Sequence, residues 1–176
     1  GLVQKQQGHF SDAAKSLRQA MELEPTDAAT AISLSHVLLQ LRDPSGAELI
    51  LRNTLEKGGD KALLLAELGA QQLQAGENQE ALKTLVEARK HNRDDPQVLG
   101  NLGMAYAMTG SLPSAIGIFE ELIKAAPEMA DAHAQLGAMQ AQNGQPAAAV
   151  QSLRKAVDIA PDNIGSHMNL AYALLQ

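Results

Sequence analysis

A period of 34 residues runs through this chain and constrains its fold more than any other feature. One position of the repeat holds glycine in four of its five copies, as a tight turn between two helices favours. These positions are Gly8, Arg42, Gly76, Gly110 and Gly144. An alanine follows five residues after each of them, and a large apolar residue comes four residues later. Self-similarity at this fixed spacing predicts stacked copies of one helix-turn-helix unit.

The composition indicates which kind of secondary structure fills the repeat. Hydrophobic residues make up 45% of the chain but aromatic residues only 2%, so Ala, Leu, Ile, Val and Met must build the core. Ala and Leu recur at spacings of three and four residues, which is the helical pattern, and no alternating run suggests a strand. We therefore predict an all-α chain without a sheet.

Prolines and glycines predict where the helices end. Pro25, Pro127 and Pro161 recur at the end of their repeats, because proline cannot continue a helix interior. Where that proline is missing, Gly58 and Gly59 are expected to end the helix through a left-handed cap. Pro96 is expected to end the helix of the following repeat.

One stretch of the chain carries a recognisable family pattern. Residues 101–106 read Asn-Leu-Gly-Met-Ala-Tyr and are followed at fixed distances by Gly110, Ala115, Phe119 and Pro127. This pattern resembles the tetratricopeptide repeat family, and the resemblance covers the whole chain. It implies a right-handed α-solenoid of stacked antiparallel helix pairs. The family's tryptophan in the first helix is replaced, and its positions hold Ala31, Leu65, Leu99, His133 and His167.

Counting the repeats predicts the domain organisation as a single array over residues 1–176. The array would comprise a partial repeat at 1–27, full repeats at 28–61, 62–95, 96–129 and 130–163, and a partial repeat at 164–176. Both ends are predicted to fall inside helices, so we expect an excerpt of a longer protein. In the alternative, another copy of the chain covers the apolar last helix. The Ala-rich composition with frequent Gln favours a bacterial source.

Charge and composition exclude several classes of partner. The chain has 14 Lys and Arg against 20 Asp and Glu, a net charge of −6, which repels phosphate backbones. We therefore expect no nucleic acid partner, and no apolar run is long enough for direct membrane insertion. The absence of cysteine suits both reducing and oxidising compartments, so a soluble segment in either cytoplasm or periplasm is compatible with the sequence.

Motifs for catalysis or cofactor binding are not found in the sequence. The histidines lack zinc-ligand spacing, and neither a nucleophile elbow nor a phosphate-binding loop occurs. We predict no catalytic residue, no metal and no cofactor, and hence no enzyme within this segment. His133 and His167 lie one repeat apart and could share an ion, although packing in place of an aromatic residue is the preferred interpretation. The basic stretch 89–93 is expected to favour a helix end, with docking of an acidic segment as the alternative.

The resemblance places the first helix of each repeat along a concave groove. There the sequence predicts an apolar channel with one polar row of Ser33, Glu67, Asn101, Gln135 and Asn169, and a second of Gln40, Gln74, Gln142 and Gln176. Such amides can bond the backbone of an extended peptide, or they can satisfy neighbouring carbonyls or water. The predicted partner-binding residues are Ser33, His36, Gln40, Glu67, Ala70, Gln74, Asn101, Met104, Met108, Gln135, Ala138, Gln142, Asn169 and Tyr172.

The predicted function is a protein-protein interaction scaffold that binds a peptide or protein segment in this groove. Relatives that grip acidic C-termini use Lys, Arg and Asn there, and because the cations are absent here we predict no such carboxylate clamp. One alternative is a substrate-recruiting arm of an enzyme such as a glycosyltransferase. Another is a self-assembly module that forms a homo-oligomer through its terminal helices.

Overall fold

A computed structural model describes the backbone of residues 2–175 and the side chains of residues 8–175. Ten helices and no strand occur in this described part. The helices are α1 Leu2–Leu23, α2 Ala28–Gln40, α3 Pro44–Glu56, α4 Lys61–Gln74, α5 Asn78–His91, α6 Pro96–Met108, α7 Leu112–Ala125, α8 Ala130–Gln142, α9 Pro146–Ile159 and α10 Ile164–Leu174. The predicted all-α class is therefore confirmed. Over the same residues, no helix combines the length and apolarity that crossing a bilayer requires.

The chain divides into two compact units, Gly1–Gln71 and Gln72–Gln176. In the first unit α2 packs against α1 and α3, and in the second the consecutive helices from α5 to α10 pack pairwise. The single array over residues 1–176 stays a prediction.

The turns inside the helix pairs share one backbone geometry. Arg42, Gly76, Gly110 and Gly144 all have positive φ, between 60° and 82°. In the second of these turns, the Gly76 N–H bonds the carbonyl of Leu73 and the Glu77 N–H bonds that of Gln72, and the other three turns repeat both bonds. This is the left-handed Schellman ending of a helix. The predicted turns at these four positions are confirmed.

The turn predicted at Gly8 is wrong, because α1 continues from Leu2 to Leu23 through that residue. A glycine inside a helix costs about 1 kcal/mol relative to alanine, which is less than the loss of several backbone hydrogen bonds. His9 and Phe10 follow Gly8, whereas three of the four real turns are followed by a proline in the first turn of the next helix.

Helix boundaries are set by caps and prolines. Asp27, Asp43 and Asp95 cap α2, α3 and α6, because their carboxylates accept hydrogen bonds from backbone N–H groups of the first turn. Hydrogen bonds from Thr30 hold the pKa of the Asp27 carboxyl below its usual value of 3.8. Pro96 begins α6 instead of ending α5, which corrects the sequence prediction; proline suits a first helical position, where its missing N–H has no partner to lose.

Prolines and glycine close other helices as predicted. Pro25, Pro127 and Pro161 follow the last residues of α1, α7 and α9. Gly58, with a φ of 96°, follows α3.

Small residues facing large ones build the cores of both units. In the first unit Ala47 and Leu51 of α3 are buried, as is Leu34 of α2. In the second unit Gly103 of α6 lies directly under Phe119 of α7. A Cβ added at Gly103 would lie 2.8 Å from the Phe119 ring, which real contacts do not allow. The repeated small residue of the first helix therefore sets how closely the two helices of a pair approach.

The left-handed conformation of Arg42 is a strained feature of the first unit that glycine would relieve. A non-glycine residue in this region costs about 1–2 kcal/mol, partly offset by the greater unfolded-state freedom of glycine. We expect Arg42→Gly to raise the free energy of unfolding by about 0.5–1 kcal/mol. Gly110→Ala, where a Cβ meets no atom but φ is 82°, should lower it by about 1 kcal/mol. Urea denaturation measures both changes, and a destabilised Arg42→Gly would contradict the assignment.

Candidate functional site

The predicted polar row behaves differently in the two units, beginning with Ser33 in the first. The Ser33 hydroxyl donates a hydrogen bond of 2.8 Å to the carbonyl oxygen of Ala29, one turn earlier in α2. Its side chain is exposed but already bonded within its own helix. Ser33 therefore satisfies a neighbouring carbonyl, as the alternative interpretation of this row stated.

Glu67 is the centre of a hydrogen-bonded cluster in the first unit. Its Oε1 lies 2.8 Å from Nε2 of His36 and accepts a second bond of 2.8 Å from Nε2 of Gln71. Gln71 Nε2 also donates to the Ser35 hydroxyl at 3.0 Å, and Ser35 in turn donates to the Ile32 carbonyl. Glu67 is only 8% exposed. Its carboxylate therefore stabilises the contact between α2 and α4.

The second unit contains a pocket of about 250 Å³ between α6, α7 and α8. Three of the predicted partner-binding residues line it: Asn101, Met104 and Gln135. The other lining residues are Pro96, Gln97, Gly100, Phe119, Leu122, Met129, Asp131 and Ala132. The pocket thus has apolar walls of Met, Phe and Leu side chains, with amides and one carboxylate among them.

Asn101 and Gln135 are half-buried in this pocket, and neither side chain has a hydrogen-bond partner among the residues that the structure describes. The carboxylate of Asp131, in the first turn of α8, likewise has no ion-pair partner in the described chain. Glu67, Asn101 and Gln135 share one repeat position. The Glu67 side chain is hydrogen-bonded within the chain, whereas the amides of Asn101 and Gln135 have no partner in the described chain. In the second unit these free amides lie beside an apolar cavity.

Comparison with known proteins identifies the family. Tetratricopeptide repeat models match residues 5–68, 67–130 and 112–164. The chain belongs to the tetratricopeptide repeat family. No curated protein matches this tetratricopeptide repeat sequence significantly.

Solved structures similar to this tetratricopeptide repeat chain include MamA from Desulfovibrio magneticus RS-1, at 21% identity and a TM-score of 0.77, covering 84% of each chain. YrrB, described as a TPR protein with an unusual peptide-binding site, has 25% identity and a TM-score of 0.75, covering 96% of this chain and 85% of its own. The first TPR of Spaghetti (RPAP3), solved with the HSP90 peptide SRMEEVD, has 18% identity and a TM-score of 0.63, covering 65% of this chain and 91% of its own.

The remaining predicted residues lie outside the pocket. Gln40, Gln74 and Gln142 are exposed at the last positions of α2, α4 and α8, while Gln176 lies outside the described residues. Met108 is 57% exposed and lines a separate acidic depression beside Glu77 at the start of α5. Ala70 and Ala138 are half-buried, and Asn169 and Tyr172 are exposed on α10.

Several residues of the site were not found from the sequence. Gln71, which joins Ser35 to Glu67, lies one helical turn after Glu67, so the spacing of the two residues was a usable signal. Phe119 and Leu122 come from the second helix of their pair, whereas the resemblance placed the groove on the first helices. Asp131 carried no signal of its own, because a carboxylate in the first turn of a helix is common for reasons of the helix dipole alone.

His133 and His167, at the position of the family's tryptophan, each bond a backbone carbonyl; His133 is buried, whereas His167 is exposed. Nε2 of His133 donates to the carbonyl oxygen of Pro127 at 2.9 Å, and Nε2 of His167 donates to that of Pro161 at 2.8 Å. Each imidazole thus ties the start of its helix to the proline six residues earlier. No group of three or more His, Asp or Glu side chains in the described chain is arranged to hold a metal ion.

The basic stretch at the end of α5 is paired with carboxylates of the chain itself. Arg89 forms an ion pair with Glu121 of α7, and Lys90 forms one with Glu87. These cations lie in the last turn of α5, as the helix-dipole interpretation expected. An acidic ligand would have to displace Glu121 and Glu87 to reach them.

The contrast between Glu67 and Asn101 can be tested by parallel truncation at equivalent positions of the two units. Glu67→Ala removes the acceptor of His36 and Gln71, so we expect it to lower the free energy of unfolding by about 1–2 kcal/mol. Asn101→Ala removes no bond within the described chain and should change it by less than about 0.5 kcal/mol. Denaturation of both variants measures this, and equal losses would contradict the contrast.

Proposed function

We propose that this chain is a protein-interaction scaffold that binds a peptide or protein segment along the first helices of its repeats. The pocket lined by Met104, Asn101 and Gln135 is the observation that carries the proposal. Membership of the tetratricopeptide repeat family and likeness to YrrB, whose description names a peptide-binding site, support it. No catalytic role within the segment is part of the proposal.

The composition of the pocket suits a polypeptide ligand. Asn101 and Gln135 can each donate to a backbone carbonyl and accept from a backbone N–H, which binds an extended peptide whatever its side chains. The walls formed by Met104, Phe119 and Leu122 can receive one apolar side chain, and Met104 can adjust its rotamers to the shape of that side chain.

Energetics indicate how much of a ligand must be in contact. Burying one apolar side chain contributes about 1.5–3 kcal/mol, and each hydrogen bond adds about 0.5–1.5 kcal/mol. Micromolar affinity requires about 8 kcal/mol after the entropy cost of association. One pocket with two amides falls short of this value. The ligand is therefore a segment of several residues, of which only part occupies the pocket.

The charges of the pocket argue against an acidic ligand. None of the residues that line it is Lys or Arg, and Asp131 is its ionisable side chain. The peptide SRMEEVD in the structure of the RPAP3 repeat carries two consecutive glutamates. We expect the Glu-Glu-Val-Asp end of that peptide to contribute no binding to this chain, because Asp131 would repel its carboxylates.

Met104→Glu tests the scaffold function directly. It places a carboxylate in the apolar wall of the pocket, so a peptide selected from a random library against the unaltered chain should bind the variant at least about tenfold more weakly. Fluorescence anisotropy with the labelled peptide measures the affinity.

Val86→Glu is the matched control, because Val86 is an exposed apolar residue of α5 that does not line the pocket. Circular dichroism and thermal unfolding check that both variants fold. If binding survives Met104→Glu unchanged in a folded protein, or if Val86→Glu weakens it equally, the proposed site is wrong.

Self-assembly is a second candidate function, favoured by exposed apolar side chains of α10. Met168 and Tyr172 are 67% and 64% exposed. They are four residues apart, so they share one face of the helix, and exposed apolar patches are typical of interaction sites. In this candidate function the partner is a second copy of the chain. The same face of α10 would be buried in both copies.

Light scattering across a range of protein concentrations tests that candidate. Self-assembly predicts a mass that rises with concentration and returns to the monomer value in the double variant Met168→Lys and Tyr172→Lys, because charges on the face oppose its burial. Val86→Lys is the control and should leave the association unchanged. A monomer at all concentrations would eliminate self-assembly without affecting the peptide-binding proposal.

A further inference from the structure

The pocket of the second unit differs from an ordinary apolar pocket in its charge. Its apolar residues are joined by Asp131, whose carboxylate has no partner in the part of the chain that the structure describes. Met129 at the cap of α8 supplies no side-chain acceptor, so Asp131 is the carboxylate at that helix start. The pocket therefore presents an unpaired carboxylate, which can form an ion pair with a cation, beside its apolar wall.

The chain segments that lead into the pocket add to the negative charge. The segment 92–95 before α6 holds Arg93, Asp94 and Asp95, a net charge of −1, and the segment 126–129 before α8 holds Glu128, also −1. Asp95 is engaged in capping α6, and its charge offsets the positive end of that helix dipole. Asp131, Glu128 and the net charge of −6 thus favour the approach of a cationic group.

The volume limits what the apolar part can take. At about 250 Å³ the pocket is smaller than the roughly 300–1,000 Å³ of sites for drug-sized ligands, so it suits a single large side chain. Leu, Met and Phe are side chains of suitable size and shape. Asn101, Gln97 and Gln135 beside this space supply amides for the peptide groups on either side of that residue.

We infer that the pocket recognises an extended peptide segment in which Leu, Met or Phe stands within two residues of Lys or Arg. The apolar side chain enters between Met104, Phe119 and Leu122, and the cation pairs with Asp131 at the rim. This inference rests on the proposed scaffold function and adds the class of sequence that the scaffold selects. An acidic peptide, a neutral apolar peptide and a second copy of the chain are the competing occupants.

The test begins with a random library of peptides of about 12 residues displayed on phage and selected against the unaltered chain. The inference predicts enrichment of Lys or Arg within two residues of Leu, Met or Phe. The most enriched peptide is then synthesised together with a partner in which that cation is replaced by Glu, and both affinities are measured by anisotropy. The peptide with the cation should bind more tightly, and raising the salt concentration should narrow the difference.

Charge reversal identifies Asp131 as the group that pairs with the cation. We expect Asp131→Asn to weaken binding of the cationic peptide about two- to fivefold, as an exposed ion pair contributes. Asp131→Lys should weaken binding of the cationic peptide further. The same variant should bind the glutamate-substituted peptide more tightly than the unaltered chain does. Asp158→Lys makes the same charge change at an exposed position of α9 and controls for net charge. Thermal unfolding checks that the variants fold.

The outcomes separate this inference from the function on which it rests. Enriched peptides that bind through Met104 but carry neutral or acidic flanks, or that respond equally to Asp131→Lys and Asp158→Lys, would overturn the inference and leave the scaffold function standing. If no enriched peptide depends on Met104, the proposed binding site itself fails. If Asp131→Lys reverses the charge preference for the peptide and Asp158→Lys does not, the result supports both the inference and the scaffold function.

Discussion

Two helix pairs of the second unit, α6 with α7 and α8 with α9, depend on a small residue of one helix facing a large residue of the other. Gly103 lies beneath Phe119 and Gly137 beneath Leu153, and a Cβ at Gly137 would lie 2.5 Å from Leu153. Because protein interiors are close-packed, a methyl group at either position would force the two helices apart. The left-handed turn that follows the first helix then reverses the chain at the separation that this contact sets. The second unit repeats this contact and this turn.

The site in the second unit follows from the same contact. Phe119 packs on Gly103 and also belongs to the lining of the pocket, so the contact that spaces α6 and α7 also contributes to the shape of the cavity. The polar side chain at one repeat position differs between the two units. At the position of Asn101 the first unit carries Glu67, which is bonded to His36 and Gln71, so one repeat position serves cohesion in one unit and leaves free groups in the other.

Much of the fold could be predicted from the sequence because the turn and the small-large contact need particular residue types at fixed spacing. Arg42 was correctly placed in a turn although it is not glycine, since the period overrode its low preference for positive φ. The period misled at Gly8, where continuing the helix costs less than breaking it. It also gave no information on Pro96, which fits both the end of one helix and the start of the next.

The site was less predictable, because the partners of a polar side chain depend on contacts between residues far apart in the sequence. Asn101, Met104 and Gln135 were found through their repeat position, and the structure brings all three to one pocket. Glu67 was expected in the same role, but its burial and its bonds with His36 and Gln71 require knowing how α2 and α4 meet. Asp131 follows only from the three-dimensional arrangement.

The position of the pocket between three helices has a thermodynamic consequence. A ligand side chain that fills the pocket contacts residues of α6, α7 and α8, which meet only in the folded unit, so occupancy and folding of the second unit become linked equilibria. A ligand that binds only the folded form stabilises it by RT ln(1 + [L]/Kd), which is about 2.7 kcal/mol at a hundredfold excess over Kd. Resistance of the second unit to unfolding is thus itself a measure of what its pocket contains.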